Sequence, residues 1–253
     1  MNEIEELTAA YRSYRKNRMY RPALQCAEEV WHRNHGAGMF LMRDFRELMV
    51  SEMQGGGTNG LACWDLSRES YMITAKDCFD DFMVAMEWER NPASRFWLPR
   101  RKILEGRFGI CTAIENFINE EGGKKLTLST PPGCGKSTLI KFLMAYIMGK
   151  WPDSKNMYVS YSDSMVKLMM DAVLDMTSGD EYNFNEIFAL GKPDKSAEYN
   201  TIGYRRRGDA QTFSLCSIGG SITGRTRADK FQITDDLVKN AEEARSPERL
   251  ETL

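Results

Sequence analysis

The chain has 253 residues and a mass of 29.0 kDa, room for one large domain or two small ones. Hydrophobic residues make up 42% and charged residues 28%, a globular mixture that excludes a disordered chain. With 34 basic and 36 acidic side chains the net charge is −2, which excludes a polybasic binder and leaves any nucleic-acid contact to local patches.

The opening residues, with Glu3, Glu5 and Glu6, are acidic and form no apolar h-region, so no signal peptide is expected. The most apolar stretch, Leu139 to Met148, is broken by Lys141 and falls far below the ~20 residues that span a bilayer. Cys26, Cys63, Cys78, Cys111, Cys134 and Cys216 are scattered without a CxxC pair, so the expectation is a reduced, cytosolic protein. His32 and His35 lie near Cys26 but have no fourth ligand at useful spacing; two polar residues on a helix is the preferred reading.

The first hundred residues read as helical. Ile4, Leu7, Tyr11 and Tyr14 form one stripe, and Met42, Phe45, Leu48 and Met49 another. Gly55 to Gly60 is a flexible break. Phe79, Phe82, Met83 and Met86 form a further apolar face, with a stop at Asn91 and Pro92. These stripes are assigned to core.

From about residue 100 the pattern changes. A helix is expected over 110–119 and a strand over 125–129, then a glycine-rich loop and an apolar helix from Lys136 to Met148, capped by Gly149. Strands are expected over 156–161, 212–218 and 231–234. A helix carrying Met165, Leu168, Met169, Ala172, Val173 and Met176 follows the first of these. Strand–helix alternation predicts an α/β fold with a parallel sheet flanked by helices. The expected domains are a helical region over 1–95 and an α/β domain over 96–253.

The loop Thr130, Pro131, Pro132, Gly133, Cys134, Gly135, Lys136, Ser137, Thr138 carries chemistry. Binding a triphosphate needs backbone N–H groups turned inward, and glycines permit that curvature and close approach. Lysine supplies charge to the β- and γ-phosphates, the next hydroxyl ligates Mg²⁺, and the following helix adds its dipole. Gly133, Gly135, Lys136 and Ser137 meet these demands, so the loop is expected to bind ATP with Mg²⁺. Thr130 stands where the usual pattern begins with glycine.

Such a loop needs a carboxylate at the end of a neighbouring strand. Phe231 to Thr234 followed by Asp235 and Asp236 offers it: Asp235 for Mg²⁺, Asp236 as the base that orients the attacking water. Glu242 and Glu243 are backups. Gly219 to Arg227, with Arg225 and Arg227, is either a loop that presents guanidinium groups to an anion or a solvated basic turn. Tyr204, Arg205, Arg206 and Arg207 form a second basic cluster, either a contact for a phosphate backbone or a surface loop, the latter being the preferred reading.

Taken in order, these segments resemble the large terminase subunit of tailed bacteriophages, the ATPase that packages DNA into a procapsid. The 130–137 loop resembles that family's deviant Walker A, and Val159 to Asp163 its second strand. Gly219 to Arg225, then Ile233 to Asp236, then Lys239 to Ala244, are similar to its Walker B region. The resemblance covers residues 70–253. It implies an ASCE-type P-loop ATPase, assembled as a ring on the portal in the host cytoplasm. That motor drives double-stranded DNA by ATP hydrolysis and works with a portal protein and a small terminase subunit. It assigns Lys136 and Ser137 to phosphate and Mg²⁺, Asp235 to the Walker B acid, Asp236 to catalysis and Arg225 to an arginine finger. Two features depart from the family: the loop has no arginine, and the acid pair is Asp-Asp instead of Asp-Glu.

In the family the strand between the P-loop strand and the Walker B strand comes after Walker B in sequence, as does the nuclease domain. Leu253 follows Asp236 by 17 residues. The expectation is therefore a piece of a longer protein with an incomplete sheet, hydrolysing ATP poorly alone. Two rivals remain: an AAA+-like ATPase, whose loop Pro131 to Lys136 fits equally, and a fragment that binds nucleotide without turnover.

Overall fold

The computed structural model describes residues 2–55, 60–106, 108–119, 124–204, 212–218 and 228–236. The chain divides into two compact units, Met1–Trp88 and Glu89–Leu253.

The first unit is helical: α1 (Glu3–Lys16), α2 (Tyr20–Arg33), α3 (His35–Gln54), α4 (Gly60–Thr74) and α5 (Phe79–Met86). The start of α1 is fixed by its sequence. Asn2 accepts from the first turn while Glu5 reaches back to the Asn2 backbone, a reciprocal cap that satisfies two orphan donors. The α1 stripe packs against a core containing Tyr11, Leu24, Val30, Met42, Phe45 and Met49. The α3 stripe is less regular than its spacing suggests, with Leu48 half-buried and Arg46 buried in its place. Arg46 donates through Nη1 to Asp81 at 3.0 Å, through Nε to Ser70 Oγ at 3.0 Å, and through Nη2 to Thr74 Oγ1 at 2.7 Å. Helix α5 is buried on nearly every side instead of one face, and its Asp81 turns inward to meet that guanidinium.

The second unit is α/β. After two short 3₁₀ turns come α6 (Arg101–Leu104), α7 (Ile110–Ile118), α8 (Lys136–Lys150), β1 (Asn156–Ser160) and α9 (Asp163–Ser178). Then follow α10 (Phe184–Phe188), β2 (Asp194–Ser196), β3 (Thr201–Gly203), β4 (Phe213–Ser217) and β5 (Gln232–Thr234). The strands form one sheet in the order β2-β3-β4-β1-β5. β1 runs parallel to both β4 and β5, while β3 pairs antiparallel with β4 and with β2. The sheet is thus mixed, correcting the all-parallel expectation: the polar stretch before β4 folds back as a short hairpin. Helices α8 and α9 cover the sheet through Met144, Ile147, Met148, Val166, Met169 and Val173, against Tyr158, Phe213 and Leu215.

Two local expectations are also corrected. Residues 125–129 are not a strand; no described strand pairs with them, and an unpaired extended segment has no ladder to define it. Gly149 does not cap α8, which continues to Lys150. It lies inside the helix, where a Cβ would come within 2.2 Å of the Phe188 ring. Its role is close approach to α10. Among the described residues no helix is long and apolar enough to cross a membrane.

Candidate functional site

The site forms where the 130–135 loop enters α8 and β5 ends. Gly133 and Gly135 adopt φ of +81° and +88°, a left-handed pair that curls the backbone of the loop. Gly135 is the N-cap of α8 and provides no side-chain cap, so the first N–H groups of the helix keep their donors. Lys136 opens the helix, and Ser137 and Thr138 follow on its first turn. Hydrophobic anchoring comes from further along α8, where Leu139 and Phe142 are buried.

β5 brings the acids. Its pairing with β1 runs one residue past the strand, where Asp235 N–H donates to the Val159 carbonyl at 2.9 Å. That bond fixes Asp235 at the carboxyl end of the parallel strands, the position where ligands bind in such sheets. Asp235 is 3% exposed. Lys136 Nζ donates to Asp236 Oδ1 at 2.6 Å and lies 3.2 Å from Asp235 Oδ1. The second contact is an ion pair without hydrogen-bond geometry, so Asp235 Oδ1 is buried with no hydrogen-bond donor among the described residues. The bond to Asp236, reinforced by Asp235 and opposed by burial, raises the Lys136 pKa above its ordinary value. Asp236 pays for its position with a φ of +42°, a left-handed conformation that aspartate tolerates better than most residues.

Beneath the acids, Tyr158 of β1 is fully buried. Burial first, then the charge of Asp235, pushes its hydroxyl up to about 12. At the same end of the sheet Ser217 Oγ donates to Asp163 Oδ1 at 2.7 Å, joining β4 to the start of α9.

A cavity of about 680 Å³ adjoins the pair. Its polar end is lined by Thr130, Cys134, Gly135, Lys136 and Asp235. Leu126 and Leu128 from one segment and Phe231 and Ile233 from another border the rest, where Lys124, Lys125 and Lys230 also line it. Those two segments share the cavity without pairing, and β5 is the last strand of the sheet on that side. Thr130 Oγ1 is buried here without a hydrogen-bond partner among the described residues.

Of the residues expected from sequence, Lys136, Asp235 and Asp236 come together, and Thr130, Cys134 and Gly135 line the cavity with Lys136 and Asp235. Pro131, Pro132, Gly133, Ser137 and Thr138 are not among the residues lining it. Arg225, Arg227, Arg205, Arg206, Arg207, Glu242, Glu243 and the 239–244 run lie outside the described residues. Sequence reasoning missed Arg100, whose Nε donates to the Cys134 carbonyl at 2.9 Å. Its only sequence signal is membership of the basic pair Arg100 and Arg101 upstream of the loop. Among the described residues no cluster of three or more His, Cys, Asp or Glu is arranged to hold a metal ion. No family model, no curated protein and no solved structure matches this chain.

Proposed function

We propose that the Glu89–Leu253 unit binds the phosphates of ATP, with Mg²⁺, through the 130–137 loop. The observation that carries this reading is the meeting of Lys136 with Asp235 and Asp236 across 100 residues of sequence, at the mouth of a loop curled by two left-handed glycines. A helix start with its backbone donors unspent and a lysine beside it suits a phosphate group. The buried Asp235 oxygen without a hydrogen-bond donor suits a divalent cation, so the residues fit the group the reading requires.

Ser137 and Asp235 would hold the ion, which when bound neutralises charge on the β- and γ-phosphates. Lys136 gives up its carboxylate partners for phosphate oxygens. That exchange frees Asp236 to accept a proton from the attacking water. With Arg225 as a finger in a ring of copies, this is the chemistry of a large terminase subunit. The role proposed is an ATP-hydrolysing motor that drives double-stranded DNA into a viral procapsid, with portal protein and small terminase subunit as partners.

The engagement of Lys136 by both Asp235 and Asp236 favours a second reading, nucleotide binding without rapid turnover. Titration with a fluorescent ATP analogue is expected to show saturable, Mg²⁺-dependent binding that K136A abolishes. Turnover stimulated by duplex DNA would mark the motor, and binding without turnover the second reading. Equal binding by wild type and K136A would sink both.

A further inference from the structure

Arg100 sits behind the 130–135 loop and is not among the residues lining the cavity. Its Nε donates to the Cys134 carbonyl at 2.9 Å and its Nη1 to the Phe96 carbonyl at 3.0 Å. The guanidinium lies 4.5 Å over the Phe96 ring, and that ring stacks on Phe142 of α8 with centroids 5.7 Å apart. The group is therefore gripped at two carbonyls and one aromatic face, and tied to the helix that the loop feeds. The packing is close: a Cβ on Gly135 would meet Phe96 Cε2 at 2.4 Å and Arg100 Nε at 3.0 Å.

The consequence follows from the planarity of a peptide. The C=O of Cys134 and the N–H of Gly135 belong to one trans unit and point in opposite directions. Holding that carbonyl against Arg100 turns the Gly135 N–H the other way. If the peptide flipped, a carbonyl oxygen would replace a donor, and an anion at the loop would meet repulsion. The left-handed Gly135, free of a Cβ, is the residue at which such a flip costs least.

We propose that Arg100 is the positioning residue of the phosphate loop, locking the Cys134–Gly135 peptide so that its donor is presented to a phosphate. The inference rests on the nucleotide reading of the site and names the residue that pre-organises it. Arg100 acts through the loop backbone and does not touch the ligand. Since the loop meets the same phosphate in both, pyrophosphate and ATP depend on Arg100 equally.

The test is calorimetric titration of Mg-pyrophosphate and Mg-ATP into wild type, R100A, R100M, R100Q and K136A. Each protein is studied at a temperature where circular dichroism shows it folded. R100A and R100M remove the donor and are expected to bind both ligands about tenfold more weakly, the loss of one charge-assisted hydrogen bond. In R100Q the amide nitrogen takes the chain position of the Arg100 Nε and can donate to the Cys134 carbonyl, so R100Q is expected within about threefold of wild type. R100M retains most of the side chain's volume, so it carries the test should R100A fail to fold. Wild-type affinity in R100M, with binding lost in K136A, overturns the role of Arg100 and leaves the nucleotide reading standing. Equal weakening in R100Q and R100M also overturns it, by showing that a donor at that position does not restore binding. Absence of binding by wild type overturns the nucleotide reading and the assignment of Arg100 with it.

Discussion

The ammonium of Lys136 has two carboxylate oxygens within 3.2 Å before any phosphate arrives, so the ligand must compete with the protein's own acids. The two acids are not equivalent. Asp235 is buried and held by a backbone bond to Val159, whereas Asp236 is exposed and sits in a left-handed conformation. Asp236 is the acid that can release the lysine, since water is available to solvate it. Asparagine also tolerates this conformation, so D236N changes the charge without adding backbone strain. D236N is expected to bind Mg-ATP about threefold or more tightly, because a negative charge facing the phosphates is gone. Its turnover is expected to vanish along with the proton acceptor. Titration and single-turnover assays on the same preparation check both halves. Weaker binding by D236N would show that Asp236 holds the ligand instead of competing with it.

At the scale of the element, α8 links the site to the core, and its last turn combines a contact with a sequence signal, since Trp151 precedes Pro152 and leaves the helical conformation. Gly149 in a buried helix admits the Phe188 ring of α10. G149A improves intrinsic helix propensity by about 1 kcal/mol, yet the added methyl overlaps the ring, an overpacking that costs about 1–3 kcal/mol. The expected net result is a lower denaturant midpoint for G149A, partly recovered by adding Phe188→Leu. A midpoint above wild type would mean the ring moves aside freely. The same helix shows which features are legible in the sequence. Its start was readable because Gly135 and Lys136 are local signals, and β1, α9, β4 and β5 were readable from apolar runs of the right period. Gly149 read as a cap because a glycine before a proline is ambiguous until Phe188 arrives from 39 positions away. Residues 125–129 have strand-like alternation but no described partner, and pairing is not written in a single segment. The loop–acid pair was legible because both halves obey chemistry. Arg100 was not, because nothing local distinguishes an arginine that grips a carbonyl 34 positions away from one facing water.

For the whole molecule, the relevant fact is that each unit has its own core, one centred on Phe45 and Met42 and the other on the sheet. Arg46 and Asp81 give the first unit a buried ion pair, each side chain about 7% exposed, with Ser70 and Thr74 completing the donors and acceptors. The face of Tyr71 lies 3.8 Å from the guanidinium. Removing one partner of such a pair leaves a buried charge, at a cost of about 3–5 kcal/mol. In a unit of this size each kcal/mol lowers the melting temperature by roughly 4–8 °C. R46A is therefore expected to lower one calorimetric transition by well over about 10 °C, by the same scaling. Nucleotide stabilises only the unit it binds, by an amount set by ligand concentration over Kd. Saturating Mg-ATP is thus expected to raise the other transition in wild type and R46A alike, and to raise nothing in K136A. R46A that lost the ATP-dependent rise would tie the buried pair to the site; a single transition lowered by R46A and raised by ATP would make the two units one cooperative body. Two transitions moving independently would assign phosphate binding to the α/β unit and leave the Arg46 network as the helical unit's own means of fixing how α3, α4 and α5 meet.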